Sequence, residues 1–396
     1  MSSSGHLHVL WRRVPLRPSS TLSPSTSTST SCLCLQPHLQ HFSLRQQPSL
    51  LKRGVATITH VDVEKARQYC ENQLKHGDYE AFLLRQFVPP SSQNAYSALR
   101  TLNLELARLP ETVSNSTIAR MRMSFWRETV NNVFAGNPPR EPISILLHQA
   151  IQDLKARAGP TSASSLKFWL LRLINTREQH MENRPFVSLT SLEDYAENTY
   201  ATLMYMTLAS MPLRSVHMDH LASHIGKACG IVATLRGIPV LAAPSQPIQG
   251  PAGTVGNTRP PALLLPLDVM AEVGLREEDV FRRGPNAEGL QDAVFKVATR
   301  ANDHLITARE MLKNLKAGEE VGHDYEHQGE QEHIYSSGGT DTTQTDIKRG
   351  FGVLLEAVPA GDYLDRLEKA DFDPFKVKAS WKLPWRLWRA VKTHQI

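Results

Sequence analysis

From Asp62 onward, apolar residues recur every three or four positions, the spacing that lines one face of an α-helix. The pattern predicts helices over Val63–Leu74, Asp78–Gln86, Ser92–Leu109, Thr117–Phe134, Pro142–Arg157 and Ser164–Glu182. It continues with Ser191–Met211, His217–Leu235, Glu277–Arg282, Ala287–Leu315, Lys348–Glu356 and Asp362–Lys369. Tyr96, Leu99, Leu102, Leu106 and Leu109 share one face, and Pro110 is expected to end their helix. Ser191 and Asp194 read as a capping box. No run alternates with the two-residue period of a strand, so the expectation is an all-α single domain of about ten helices. Two stretches break the pattern. Ala242–Pro261 is rich in Pro and Gly, and Ala317–Asp346 is polar; both are expected to be loops or disordered insertions.

Charge changes the picture at the N-terminus. The chain of 396 residues carries a formal charge of +5. Six of its basic residues, Arg12, Arg13, Arg17, Arg45, Lys52 and Arg53, precede Asp62, the first acid. Without them 38 basic residues face 39 acidic ones, so the body is near neutral and no nucleic-acid partner is expected. An acid-free, Arg-bearing opening crowded with Ser and Thr has the composition of a mitochondrial transit peptide, placed at residues 1–56, ahead of a helical domain over 57–396. Of four cysteines, Cys32 and Cys34 fall in that leader, and Cys70 and Cys229 form neither a disulfide framework nor a CxxC zinc motif. Asn198–Leu213, the longest uncharged apolar-rich run, is too short to span a membrane, which takes about 20 apolar residues.

Two helical segments, Tyr96–Leu109 and Ile225–Leu241, read as facing walls of a diphosphate pocket. Transfer chemistry on a prenyl diphosphate needs Mg²⁺ to neutralise the leaving group and carboxylates to hold the ions. Paired Asp residues four apart on each of two helices do this, with Arg and Tyr positioning the phosphates. Tyr96-Ser-Ala-Leu-Arg100 resembles the lead-in of the squalene/phytoene synthase family. Arg122-Met-Ser-Phe-Trp126-Arg127 resembles its next conserved helix, and Ile225-Gly226-Lys-Ala228 through Leu235-Arg236-Gly237 its second acidic-motif helix. Leu264-Leu265-Pro266 and Gly274-Leu275 are similar to its later elements. The resemblance implies an isoprenoid-synthase-like helical fold. The acids of that family fall on Asn103, Ala107, Gly237 and Leu241, none of which is acidic, and Glu105 lies on the other side of its helix. Where the family often has tunnel-opening glycines, this chain has Ala201 and Met204.

The resemblance therefore implies the fold without its chemistry: no catalytic residue, no cofactor and no metal. Met121-Arg-Met-Ser-Phe-Trp126, Tyr195-Ala-Glu-Asn-Thr199, Asp219-His220-x-x-Ser223-His224 and Asp371-Phe-Asp373-x-Phe375 resemble a mitochondrial branch of the family that serves in building respiratory complex I. That branch implies a matrix-side protein, peripheral to the inner membrane, with complex I subunits or assembly factors as partners. Two other readings stay open: an active prenyl-diphosphate transferase with a rebuilt metal site, and a module that binds an isoprenoid or lipid ligand without reaction.

The candidate vestigial pocket comprises Tyr96, Arg100, Asn103, Arg122 and Arg236. Its arginines either bind an anion or pair with acids such as Glu105 or Glu128. His220 and His224, four apart near His217 and Asp219, have a spacing that can hold zinc, but no HExxH pattern accompanies them and helix capping is their ordinary use. His323, Glu326, His327 and His333 fall in the polar stretch and read as solvated. At the C-terminus Trp381, Trp385 and Trp388 alternate with Lys382, Arg386, Arg389 and Lys392. Such a helix either lies on a membrane or partner, or packs its aromatics on the body. Pro384 suits its first turn.

Overall fold

A computed structural model describes residues 58–113, 116–243, 260–319, 321–327, 329–330, 333, 335 and 340–396. The chain divides into Met1–Ala56 and Thr57–Ile396. The expected transit segment lies outside the described residues, as does most of the expected loop over 242–261.

The N-terminal helices are α1 (His60–Gly77), α2 (Tyr79–Leu84), α3 (Gln93–Thr112), α4 (Ser116–Phe134), α5 (Pro142–Ala158) and α6 (Ser164–Gln179). Then come α7 (Leu189–Ala196), a π-turn (Glu197–Ala201), α8 (Thr202–Ser210) and α9 (Val216–Leu241). The rest are α10 (Leu267–Glu272), α11 (Glu277–Arg283), α12 (Leu290–Ala317), α13 (Thr340–Leu354), α14 (Ala357–Lys369) and α15 (Leu383–Thr393). No strand occurs among the described residues, in agreement with the all-α expectation.

Helix α9 is the hub. Met218, Leu221, Ile225, Ala228, Ile231, Leu235 and Ile238 are buried along its length, and α7, α8, α12, α13 and α14 pack around it. Two glycines make the closest approach possible. A Cβ on Gly226 would stand 2.3 Å from the Ala201 Cα, and one on Gly230 would stand 2.4 Å from the Ala196 Cβ. The backbones of α9 and of the α7–π-turn segment therefore touch with no side chain between them. Ala201 and Met204 are buried in this packing.

Several boundaries differ from the sequence expectation. Pro110 sits inside the last turn of α3, where it gives up one backward N–H bond without ending the helix, and the Val113 N–H still reaches the Leu109 carbonyl at 3.2 Å. Helix α9 likewise runs through Pro239 to Leu241. The cap expected at Ser191 is at Ser188; Ser191 is its reciprocal partner three residues on, and the helix starts earlier. The helix expected over Ser191–Met211 is interrupted by the π-turn. α10 follows directly on the Leu264-Leu265-Pro266 element and was too short to show a period.

The largest correction concerns the polar stretch 317–346. Its start completes α12 and its end opens α13. Between them, Tyr325 and His333 are buried against the body. The Tyr325 hydroxyl donates to the Tyr205 hydroxyl (2.9 Å), and His333 Nδ1 lies 2.8 Å from Asp219 Oδ2. Trp169 and Tyr205 meet the His333 ring edge-on. The segment docks through rings and hydrogen bonds rather than aliphatic burial, which is why its composition reads as solvated.

Candidate functional site

Helices α3 and α9 do face each other across a cavity of about 230 Å³. Asp78, Glu80, Arg100, Asn103, Ala107, Tyr200, Cys229, Arg236 and Glu356 are among its lining residues. Two of the four positions where the resemblance places acids, Asn103 and Ala107, open onto it; Gly237 and Leu241 are not in its lining.

The cations are already engaged. Arg100, buried on α3, lies 3.2 Å from Asp78 Oδ2 and 3.4 Å from Glu356 Oε1. Asp78 is shared: its other oxygen accepts from the Ala81 N–H and caps α2. The Tyr96 hydroxyl donates to Glu356 at 3.1 Å. Burial works against the Arg100 charge, but Glu356, Tyr96 and Asp78 hold it firmly protonated. Burial lifts the Glu356 carboxyl above its usual range against the pull of Arg100. Arg236 on α9 meets Glu80 at 2.7 Å, donates to the Pro359 carbonyl at 3.0 Å, and lies over the Tyr363 ring.

Asn103 is also occupied. Its amide oxygen accepts from Arg177 of α6 at 2.7 Å, and Arg177 donates as well to the Tyr195 hydroxyl and stacks on Tyr195 and Tyr200. Three guanidiniums thus meet three carboxylates, a tyrosine cage and an amide. The Nε atoms of Arg100, Arg177 and Arg236 are buried without a hydrogen-bond partner, so the pocket is crowded rather than fully satisfied. Burial raises the Cys229 thiol, which leaves it a poor nucleophile.

Arg100 and Arg236 do pair, but with Asp78, Glu80 and Glu356 and not with the Glu105 or Glu128 suggested by the sequence. Those acids come from segments 22 and more residues away, so helix spacing gave no signal for them. Asp78 read only as a helix start. Arg177 was missed for the same reason. Arg122 departs from the expected set: it lies on the exposed side of α4 and does not line the cavity.

At the C-terminus, α15 packs Leu383, Leu387 and Ala390 inward. Trp381, Trp385 and Trp388 stay 84%, 57% and 56% exposed. Lys382 lies over the Trp381 ring and Arg389 over the Trp385 ring. Arg386 bridges Asp362 (3.0 Å) and Asp365 (2.7 Å) on α14, which fixes the helix with its indoles outward. The alternative in which the aromatics pack on the body does not hold. His220, His224 and His323, expected in unrelated settings, meet at the opposite end of α9 from Arg236.

The squalene/phytoene synthase family profile matches residues 74–389. The chain is 33% identical over 327 residues to the rat "NADH dehydrogenase (ubiquinone) complex I, assembly factor 6", covering 83% of this chain and 81% of that one. The mouse protein of that name is 31% identical and the human one 30%, each over 328 residues with the same coverage. In fold the chain is similar to a ligand-bound dehydrosqualene synthase, with a TM-score of 0.56 at 13% identity, covering 84% of this chain and 98% of that one. It is also similar to a squalene synthase from Alicyclobacillus acidocaldarius, with a TM-score of 0.54 at 13% identity over 80% and 98%.

Proposed function

The chain belongs to the squalene/phytoene synthase family, and we propose that it acts by binding, not catalysis, in the assembly of mitochondrial respiratory complex I. The observation that carries the non-catalytic part is the pairing inside the α3–α9 cavity. A metal–diphosphate cluster needs carboxylates free to take Mg²⁺ and cations free to take phosphate. Here the acid positions of the family hold Asn103, Ala107, Gly237 and Leu241. The carboxylates that do line the cavity, Asp78, Glu80 and Glu356, are spent on Arg100 and Arg236. Binding an anion at Tyr96, Arg100, Asn103 and Arg236 would mean breaking those pairs. The assembly part rests on the relatives, whose names state that role, at 30–33% identity over most of both chains.

The working surface in this reading is the outward face of α15. Exposed Trp381, Trp385 and Trp388 with Arg389 and Lys382 form an amphipathic patch suited to the headgroup region of the inner membrane. Arg386, held by α14, sets its orientation. No described helix is long and apolar enough to cross a membrane. In this reading the protein works peripherally at the matrix side of the inner membrane, where complex I subunits or other assembly factors reach it. The acid-free leader over residues 1–56 supplies import and is removed.

Native-gel profiling of respiratory complexes after deletion of the gene in its source organism tests the role. Selective loss of complex I, restored by the wild-type chain, is expected. A normal complex I level in the deletion would overturn the proposal.

A further inference from the structure

The other end of α9 carries an arrangement that the assembly role does not use. His220 and His224 stand one turn apart on α9, and His323 reaches them from the segment after α12. His323 Nε2 lies 3.0 Å from His220 Nε2 and 3.1 Å from His224 Nε2. All three ligand atoms fall within 4.8 Å of one another. Tetrahedral zinc, with Zn–N of about 2.0–2.1 Å, holds its nitrogens about 3.3–3.4 Å apart. The two measured contacts are within a few tenths of an ångström of that spacing.

Hydrogen bonding alone does not account for the cluster. A neutral imidazole has one N–H and one lone pair. His323 Nε2 offers either one proton or one lone pair, and both neighbours approach that same atom, so the two contacts compete for it. A cation shared by the three nitrogens resolves it.

The surroundings orient the rings as metal ligands are oriented. His224 Nδ1 meets His304 Nδ1 at 3.0 Å, and His304 Nε2 meets Glu193 Oε1 at 2.6 Å. One assignment satisfies this chain: His304 donates to Glu193, His224 Nδ1–H donates to His304, and the His224 Nε2 lone pair is left pointing at the cluster. A carboxylate behind a ligating histidine is the usual outer partner of a zinc site. Arg300 Nε donates to the same Glu193 oxygen, also at 2.6 Å. Lys227, one turn further along α9, is paired with Glu326 at 3.1 Å, so its charge is offset. The site borders a cavity of about 300 Å³ also lined by Asp194, Asp324 and Glu326, which leaves room for water as a fourth ligand.

We propose that His220, His224 and His323 hold a zinc-class divalent ion through their Nε2 atoms, with His304 and Glu193 as positioning residues, and that the ion staples the stretch 321–327 onto α9. The inference is independent of the assembly role.

The test uses the full chain purified without a polyhistidine tag. Elemental analysis is expected to find a single zinc per chain. After chelator treatment, added Co²⁺ should give the intense visible bands of tetrahedral coordination. His323→Ala, which alters an exposed residue outside any helix and leaves the core untouched, should abolish both signals while the far-UV circular dichroism stays unchanged. Glu193→Gln keeps all three ligands and should weaken zinc binding by about 10–100-fold. His217→Ala, outside the cluster, should change neither signal. Zinc content and cobalt spectra in the wild type no different from those of His323→Ala would overturn the proposal.

Discussion

One helix, α9, carries both polar centres of this molecule, and they have opposite characters. At its C-terminal end, Arg236 and the facing Arg100 are matched against Glu80, Asp78 and Glu356. At its N-terminal end, His220 and His224 both approach the single Nε2 atom of His323. The first centre is largely closed on itself: Arg100 and Arg236 each have a carboxylate partner within the fold, although three buried guanidinium Nε atoms have none, and a ligand would have to compete with those pairs. The second gathers three imidazole nitrogens within 4.8 Å of one another, the arrangement proposed to take a metal ion. A site's capacity to bind depends on what the fold leaves unsatisfied, not on how many polar groups it gathers. By that measure the α3–α9 cavity is held mainly by pairs within the fold, and the histidine cluster is the site proposed to take a ligand.

The comparison breaks most sharply at Glu356. Glu356→Ala leaves Arg100 buried with Asp78 alone and removes the acceptor of the Tyr96 hydroxyl. A loss of about 3–5 kcal/mol is expected, read as a fall in the denaturant midpoint. A loss below about 1 kcal/mol would show that the pocket is not a structural centre. The histidine end should respond to ligand instead. Zinc at a hundredfold excess over its Kd should stabilise the chelator-treated protein by about 2.7 kcal/mol, and the gain should vanish in His323→Ala. Mg²⁺ with inorganic diphosphate should leave the melting temperature of the wild type unchanged. A shift there as large as that from zinc would reverse the comparison.

Smaller effects refine it. Burial tends to raise the Glu193 carboxyl, but hydrogen bonds from His304 and Arg300 prevail and hold it below 4.5. A depressed carboxylate contributes stability that is present above its unfolded value and is lost as pH falls through the folded one. The wild type should therefore lose stability on acidification from about pH 5 downward more steeply than Glu193→Gln does. Equal slopes in denaturant titrations across that range would remove Glu193 from the account. The smallest stability change is expected on α15. Trp385→Ala and Trp388→Ala should alter folding stability by no more than about 0.5 kcal/mol, yet reduce sedimentation with anionic lipid vesicles. The buried Leu387→Ala should cost about 2–5 kcal/mol. A Trp variant as unstable as Leu387→Ala would return those rings to the core.

Helical periodicity carried the fold, because apolar spacing along α3, α9 and α12 is a local property of the chain. Asn103 and Ala107 could be singled out too, at fixed offsets from Arg100, by resemblance to the family. The partners around them could not. Arg177 reaches Asn103 across 74 residues, and Glu356 reaches Tyr96 across 260. No spacing rule spans such distances. The histidine cluster was hidden for a related reason: two of its three members lie on a helix and the third in a stretch whose composition reads as solvent-exposed. Tyr325 and His333 dock that stretch through rings and hydrogen bonds, so a reading based on aliphatic content misses it. The outward turn of Trp381, Trp385 and Trp388 depended on Arg386 finding Asp362 and Asp365 on α14, again a tertiary fact.

The central claim is that this fold works without the transfer chemistry of its family. The most direct test is release of diphosphate from farnesyl or geranylgeranyl diphosphate by the purified, folded chain in the presence of Mg²⁺. No release above the protein-free control is predicted, and the Asn103→Asp variant should stay equally inactive because Arg177 would pair with the new carboxylate. Mg²⁺-dependent release by the wild-type chain would contradict the account.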